Sequence, residues 1–188
     1  KNWAPIAGDG ELTNKTLVIL GYGGIGSQVA KIGKAFGMRV TGIRRNPQDD
    51  EYADEVLGLD RFEELLPLTD YLVLSLPDSS QTRDIINADI LEKLNSSAMI
   101  INVGRGTAIN EDDLTHALND GKIAAAALDT TKVEPLDANS SLWTAKNCFI
   151  SAHDSAHSLL SLERAFELFF QNIKNIQNGQ PIKNLYSE

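Results

Sequence analysis

The chain has 188 residues, of which 17 are Lys or Arg and 26 Asp or Glu, giving a net charge of −9 with 42% hydrophobic residues. That acidic balance leaves no basic footprint for nucleic acid or an anionic membrane, and no apolar run reaches the roughly 18 residues of a membrane span. A single cysteine, Cys148, excludes an internal disulfide and fits a reducing compartment, so a cytoplasmic setting is expected.

The length suits one good-sized globular domain. No signal peptide is visible. The chain starts Lys-Asn-Trp rather than with Met, as a fragment or a processed product would.

After a polar leading segment (1–15), the apolar run Leu17-Val18-Ile19-Leu20 predicts a strand over Thr16–Leu20. It ends at Gly21-x-Gly23-x-x-Gly26, followed by a helical pattern over Gly24–Phe36 and a second strand over Arg39–Ile43. Strand, glycine turn, helix and strand make the context in which this motif reads as a dinucleotide site. Gly21 permits the tight turn, Gly23 lets backbone approach a pyrophosphate, and Gly26 lets the helix lie close to the strand. The helix start offers N–H groups and a positive dipole end to phosphate. At the end of the second strand, where an acid would hold a ribose 2′-hydroxyl, stand Arg44 and Arg45. A guanidinium grips a 2′-phosphate that a carboxylate would repel, so a preference for NADP(H) over NAD(H) is expected. The alternative is a pair of solvated arginines at a strand end.

Further strands are predicted at Glu55–Leu57, Tyr71–Ser75, Ala98–Asn102, Ala124–Leu128 and Cys148–Ser151. Helices are predicted at Arg61–Leu66, Ala88–Lys93, Glu111–Asp120 and near Ser155–Asn178. Asn110 before Glu111-Asp112-Asp113 reads as an N-cap with an acidic first turn, and Gly121 as a helix stop. The alternation predicts an α/β fold with an open, doubly wound, mostly parallel sheet. The aperiodic stretch 129–147 reads as a long loop near the carboxyl end of a strand, where ligands sit in such folds.

Three residues follow predicted strands on that edge: Arg105 between Gly104 and Gly106, Glu134, and His153. An arginine flanked by glycines can reach a substrate carboxylate, and histidine is the side chain best suited to proton transfer near neutral pH. Singly, each has a structural reading: a turn support, a solvated acid, a strand-end histidine. Together beside a dinucleotide site they favour chemistry. His157 is a rival to His153, which is preferred because it comes directly off the strand. A metal site on the two histidines is not expected, for want of a third ligand. His116 is expected on the surface.

These motifs resemble the nucleotide-binding (Rossmann) domain of the D-isomer-specific 2-hydroxyacid dehydrogenases. The resemblance rests on Gly21-Tyr22-Gly23-Gly24-Ile25-Gly26, on Leu76-Pro77-Asp78-Ser79-Ser80-Gln81-Thr82-Arg83, and on Ile101-Asn102-Val103-Gly104-Arg105-Gly106. It continues through Ala126-Ala127-Leu128-Asp129, Glu134-Pro135-Leu136, Ser141-Leu142-Trp143 and His153. It implies one dinucleotide-binding domain over 1–188, with an exit helix and tail at 155–188 and the family's substrate domain absent.

It also implies an oxidoreductase acting on a small 2-keto or 2-hydroxy acid of the glyoxylate or hydroxypyruvate kind. Arg105 would hold the substrate's carboxylate and carbonyl oxygen, Glu134 would orient the histidine, and His153 would be the general acid/base. Gly21, Gly23, Gly24, Ile25 and Gly26 would line the pyrophosphate, and Leu76, Pro77 and Thr82 the adenosine side. Val103 and Gly104 would sit under the nicotinamide ribose, and Asp129 would meet the carboxamide. Where relatives have aliphatic and aromatic residues, this chain has Thr130 and Thr131.

Without the covering domain, poor turnover by this chain alone is expected, because hydride transfer needs a closed, dry site. A homodimer is expected, with residues 135–147, including Leu142 and Trp143, as an arm across it; the alternative packs those two residues on their own domain. A second reading, implied by corepressors that resemble the family, is a dinucleotide-sensing binding protein.

Overall fold

A run of β-branched and leucine side chains, Thr16–Leu20, forms the first strand, β1, and the other strands assemble on either side of it. The computed structural model describes residues 10–184; residues 1–9 of the leading segment and 185–188 of the tail lie outside the described residues. Strands β2 (Arg39–Ile43), β3 (Glu55–Leu57), β4 (Tyr71–Leu74), β5 (Met99–Asn102), β6 (Ala125–Leu128) and β7 (Cys148–Ile150) complete one sheet. Its order is β3-β2-β1-β4-β5-β6-β7, and every pairing is parallel. The chain winds outward from β1 to β3, then returns to β4 and winds the other way. The order therefore reverses between β1 and β4, where open sheets of this kind present a crevice at their carboxyl edge.

The sheet is covered on both faces, as a parallel sheet must be. Successive residues of β1 point to opposite sides. Leu17 and Ile19 join Val40, Val73, Tyr22, Ala30 and Met38 on the face covered by α1 (Gly24–Ala35). Val18 and Leu20 join Leu72, Leu74, Ile100 and Leu128 on the other. That second face is covered by α2 (Phe62–Leu65), α3 (Ala88–Lys93) and α4 (Glu111–Asn119), through Phe62, Ile90, Leu91, Leu114 and Leu118. Asn87 caps α3 by accepting from the Ile90 N–H at 3.2 Å, and Asn110 caps α4 by accepting from the Asp113 N–H at 3.2 Å.

The predicted strands are all present. The helical stretch expected at Arg61–Leu66 is instead the short α2 between two 3-10 turns, because Pro67 has no N–H to continue it. The 129–147 loop contains a 3-10 turn at Ser141–Thr144.

The chain divides into two compact units, Lys1–Ala152 and His153–Glu188. The first contains the sheet. The second contains α5 (Ser161–Gln177), which starts later than the Ser155 expected from its apolar periodicity. Phe166, Phe169 and Phe170 of α5 are exposed, and Phe169 meets Phe170 edge-on at 5.7 Å. Among the described residues, no helix is long and apolar enough to cross a membrane.

Candidate functional site

The glycines of the first turn divide into two kinds. Gly21 has φ +102°, and a Cβ there would lie 2.7 Å from the Ser75 carbonyl oxygen, so only glycine fits. Gly26 lies against β1, where a Cβ would sit 2.8 Å from the Gly21 carbonyl oxygen and 3.0 Å from Ile19 Cγ2. Gly23 and Gly24 serve no such packing: a Cβ on either would meet no protein atom within 4 Å. Their bare backbone faces outward beside the start of α1. That start has no side-chain cap and no acidic residue in its first turn, whereas α3 and α4 have both. Uncapped N–H groups and an unopposed positive dipole suit an anion, and the bare glycines let it come close. The residues present therefore fit a dinucleotide pyrophosphate.

Next along the edge is the turn after β4. The Ser75 hydroxyl donates to the Gly21 carbonyl at 2.8 Å, tying the two turns together. Thr82 is used locally: its hydroxyl donates to the Pro77 carbonyl at 2.7 Å and accepts from the Ser79 N–H at 3.0 Å. Asp78 accepts both from Arg83 Nε and Nη2, at 3.1 Å each, and from the Thr107 hydroxyl at 2.9 Å. The Arg83 guanidinium, followed by the Thr107 hydroxyl, holds the Asp78 carboxyl below the usual carboxylate range.

The turn after β5 is shaped by a residue of the Ile101–Gly106 motif for which no role was expected. Asn102 is fully buried; its side-chain oxygen accepts from the Gly104 N–H at 3.0 Å and its amide donates to the Arg105 carbonyl at 3.0 Å. The clamp bends Val103–Gly106 back on itself and leaves Arg105 exposed, with Nη1 donating to the Gly104 carbonyl at 2.8 Å. An asparagine ending an apolar strand was the available signal. A Cβ on Gly104 would lie 2.7 Å from the Leu76 nitrogen, and one on Gly106 would collide with the Thr131 backbone. The turns after β1, β4, β5 and β6 thus touch backbone to backbone in one row. Half-buried Val103 lies within it, its N–H bonded to the Leu74 carbonyl at 3.0 Å.

After β6, Asp129 is buried and accepts from the Ser151 hydroxyl at 2.7 Å. Glu134 is exposed, with Oε1 accepting from the Thr131 N–H at 3.1 Å. Lys132 pins the same loop, its N–H to Glu111 at 2.6 Å and its ammonium to Asp84 at 2.6 Å. The two threonines differ: Thr131 donates to the Val133 carbonyl at 2.9 Å, while the buried Thr130 hydroxyl has no hydrogen-bond partner. A buried hydroxyl left unpaired costs about 1–3 kcal/mol. Leu142 is 1% exposed within the core, whereas Trp143 is 54% exposed, with its indole N–H donating to the Asp137 carbonyl at 2.9 Å. The pair expected to act together is therefore split.

Arg44 and Arg45 leave β2 at the carboxyl edge. The Arg44 N–H is fixed to the Leu57 carbonyl at 3.0 Å, and Arg45 reaches Gln81 at a long 3.5 Å. Ile25 is exposed at the α1 start. His153 opens the second unit, exposed and with a left-handed backbone (φ 52°). His157 and His116 are exposed too.

Residues 1–155 match the family model described as the D-isomer specific 2-hydroxyacid dehydrogenase, NAD binding domain. A glyoxylate reductase of Aeropyrum pernix is 37% identical over 187 residues, covering 97% of this chain and 55% of its own. A solved D-isomer specific 2-hydroxyacid dehydrogenase family protein from Aeromonas salmonicida superposes with a TM-score of 0.87 at 36% identity, over 98% of this chain and 59% of its own. An NADPH-dependent glyoxylate/hydroxypyruvate reductase from Sinorhizobium meliloti, solved with NADP and sulfate, gives 0.87 at 28% identity, over 98% and 59%. The chain spans about half the length of the curated relatives it matches.

Proposed function

The chain belongs to the D-isomer specific 2-hydroxyacid dehydrogenase family through its NAD-binding domain, and from that premise we propose that it serves the reduction of a small 2-keto acid, of the glyoxylate or hydroxypyruvate kind, with NADP(H) preferred over NAD(H). The observation that carries the reading is the uncapped, side-chain-free start of α1 in one backbone-packed row with the Arg105 turn. The relatives named as glyoxylate and hydroxypyruvate reductases support the substrate class.

In this reading Gly21, Gly23, Gly24, Ile25 and Gly26 hold the pyrophosphate, and Leu76, Pro77 and Thr82 flank the adenosine. Val103 and Gly104 lie under the nicotinamide ribose, Asp129 meets the carboxamide, and Arg44 and Arg45 hold the 2′-phosphate. The bound nicotinamide supplies the hydride that reaches the substrate's carbonyl carbon. Arg105 holds the substrate's carboxylate and polarises its carbonyl oxygen. His153 gives that oxygen its proton, with Glu134 as the supporting carboxylate. Slow glyoxylate-dependent oxidation of NADPH should fall about a hundredfold on His153→Gln, in line with the usual worth of a general acid; an unchanged rate would remove His153 from the chemistry.

The cofactor half is tested by calorimetric titration with NADPH and NADH at one salt concentration. NADPH is expected to bind more tightly. Arg44→Asp should weaken NADPH roughly a hundredfold more than NADH, by removing a charged bond and adding repulsion. Equal or tighter binding of NADH by the unmodified protein would discard the 2′-phosphate reading.

A further inference from the structure

Tyr22 occupies the second position of the glycine turn, and its side chain turns inward rather than toward solvent. It is 3% exposed, and its ring fills the space over Gly42, where a Cβ would collide with it. From that slot Tyr22 reaches both ends of the segment that carries the two arginines. Its backbone N–H donates to the Ile43 carbonyl at 2.8 Å, just before Arg44. Its hydroxyl donates to Asp50 Oδ1 at 2.9 Å, at the far end. The same Asp50 oxygen accepts from the Tyr52 N–H at 2.9 Å, and the Tyr52 ring lies under the Lys31 ammonium at 5.2 Å. Residues 44–49 therefore form a loop met at both ends by one residue of the glycine turn, by its backbone N–H before Arg44 and by its hydroxyl at Asp50. Burial, and then the bond to Asp50, push the Tyr22 hydroxyl well above the ordinary phenol range, so it remains a donor throughout neutral pH.

We propose that the Tyr22–Asp50 hydrogen bond is the positioning element for dinucleotide choice, holding the Arg44–Arg45 loop in the geometry that accepts a 2′-phosphate. This rests on the 2′-phosphate reading above. The physical reason is preorganisation. An exposed segment with two arginines must lose backbone and side-chain freedom to grip a phosphate, and a loop already closed at both ends loses less. NADH has no 2′-phosphate, so its binding does not draw on that order. Neither Tyr22 nor Asp50 needs to touch the cofactor.

The test is parallel calorimetric titration with NADPH and NADH of the unmodified protein, Tyr22→Phe, Asp50→Ala, Asp50→Asn and the Tyr22→Phe/Asp50→Ala pair. Phenylalanine keeps the ring over Gly42, and Asp50 is only half-buried on a surface loop, so each variant tests the bond without emptying the core. Tyr22→Phe and Asp50→Ala should each weaken NADPH roughly tenfold, the worth of one hydrogen bond to a charged group, and leave NADH within about twofold. The pair should lose no more than either alone. Asp50→Asn, whose amide oxygen still accepts both bonds, should keep the preference. Equal loss of both cofactors would show that the tyrosine merely supports the glycine turn, and an unchanged NADPH affinity would show that it does nothing for the loop; either overturns the proposal. If the unmodified protein does not prefer NADPH, the 2′-phosphate reading falls and this inference with it. If the preference exists and is lost on Arg44→Asp but survives Tyr22→Phe, only the positioning role falls.

Discussion

Replacing Gly23 by alanine is expected to leave the fold standing and to weaken dinucleotide binding about a thousandfold. The dissociation follows from where the glycine faces. A Cβ there meets no protein atom within 4 Å, and the backbone has φ −119°, which any residue adopts. Stability should therefore shift by less than about 1 kcal/mol, as for an ordinary exposed N-cap glycine. The same methyl would stand where the pyrophosphate has to approach the α1 N–H groups. A steric cost of about 1–3 kcal/mol, added to about 1.5–3 kcal/mol for a charged hydrogen bond lengthened or lost, comes to roughly 4 kcal/mol, or about a thousandfold. Denaturant unfolding and calorimetry on the one variant check both halves. Unweakened binding would move the phosphate away from this turn, and a collapse in stability would mean that Gly23 has a packing duty after all.

Gly106→Ala should do the reverse, striking the fold first. Its Cβ would run into the backbone of Thr131, and a backbone cannot rotate away as a side chain can. The turn carrying Arg105 would have to separate from the loop carrying Glu134. That loop is also pinned through Lys132 to Glu111 and Asp84, so neither side yields cheaply. Overpacking of this kind costs about 3 kcal/mol, which lowers the melting temperature by roughly 10 °C in a chain of this size. A thermal scan of Gly106→Ala beside the parent protein decides it; an unshifted midpoint would mean the two turns can part freely.

Much of the fold was legible because apolar runs such as Leu17–Leu20 and Tyr71–Leu74 are short and bounded by glycine, proline or polar residues, which is how buried parallel strands read. Asn110 announced the α4 start because its capping bond is local, three residues long. What escaped was set by contacts between residues distant in sequence. The one signal at Asn102, an asparagine ending an apolar strand, is shared by ordinary strand ends and does not by itself say that it clamps the Arg105 turn. Tyr22 reads as a variable position in a glycine motif, and only the bare Gly42 on the neighbouring strand makes room for its ring. Gly33 is similar: it seats α1 against Leu17 without belonging to the fingerprint. The departure at Thr130 and Thr131 was visible as composition. Its outcome, one hydroxyl bonded and one buried without a partner, depended on the loop path. His153 was legible as a residue type after a strand, but its place at the head of a second unit was not, because unit boundaries follow packing rather than periodicity.

The loop fastened at both ends by Tyr22 also bears on how such a protein changes over evolutionary time. The turns after β1, β4, β5 and β6 are locked to one another through their backbones, so their sequences have little latitude. Residues 44–49 are held mainly near their ends, by the Ile43 carbonyl, the Arg44 N–H on the Leu57 carbonyl and the Asp50 carboxylate, with Arg45 reaching Gln81 at 3.5 Å between them. The side chains of residues 45–49 are exposed, so substitutions among them, charge included, are expected to leave the sheet and the glycine turn undisturbed. On the 2′-phosphate reading of Arg44 and Arg45, a few substitutions in this stretch are the shortest route between NADP(H) and NAD(H), for a lineage or for a protein engineer.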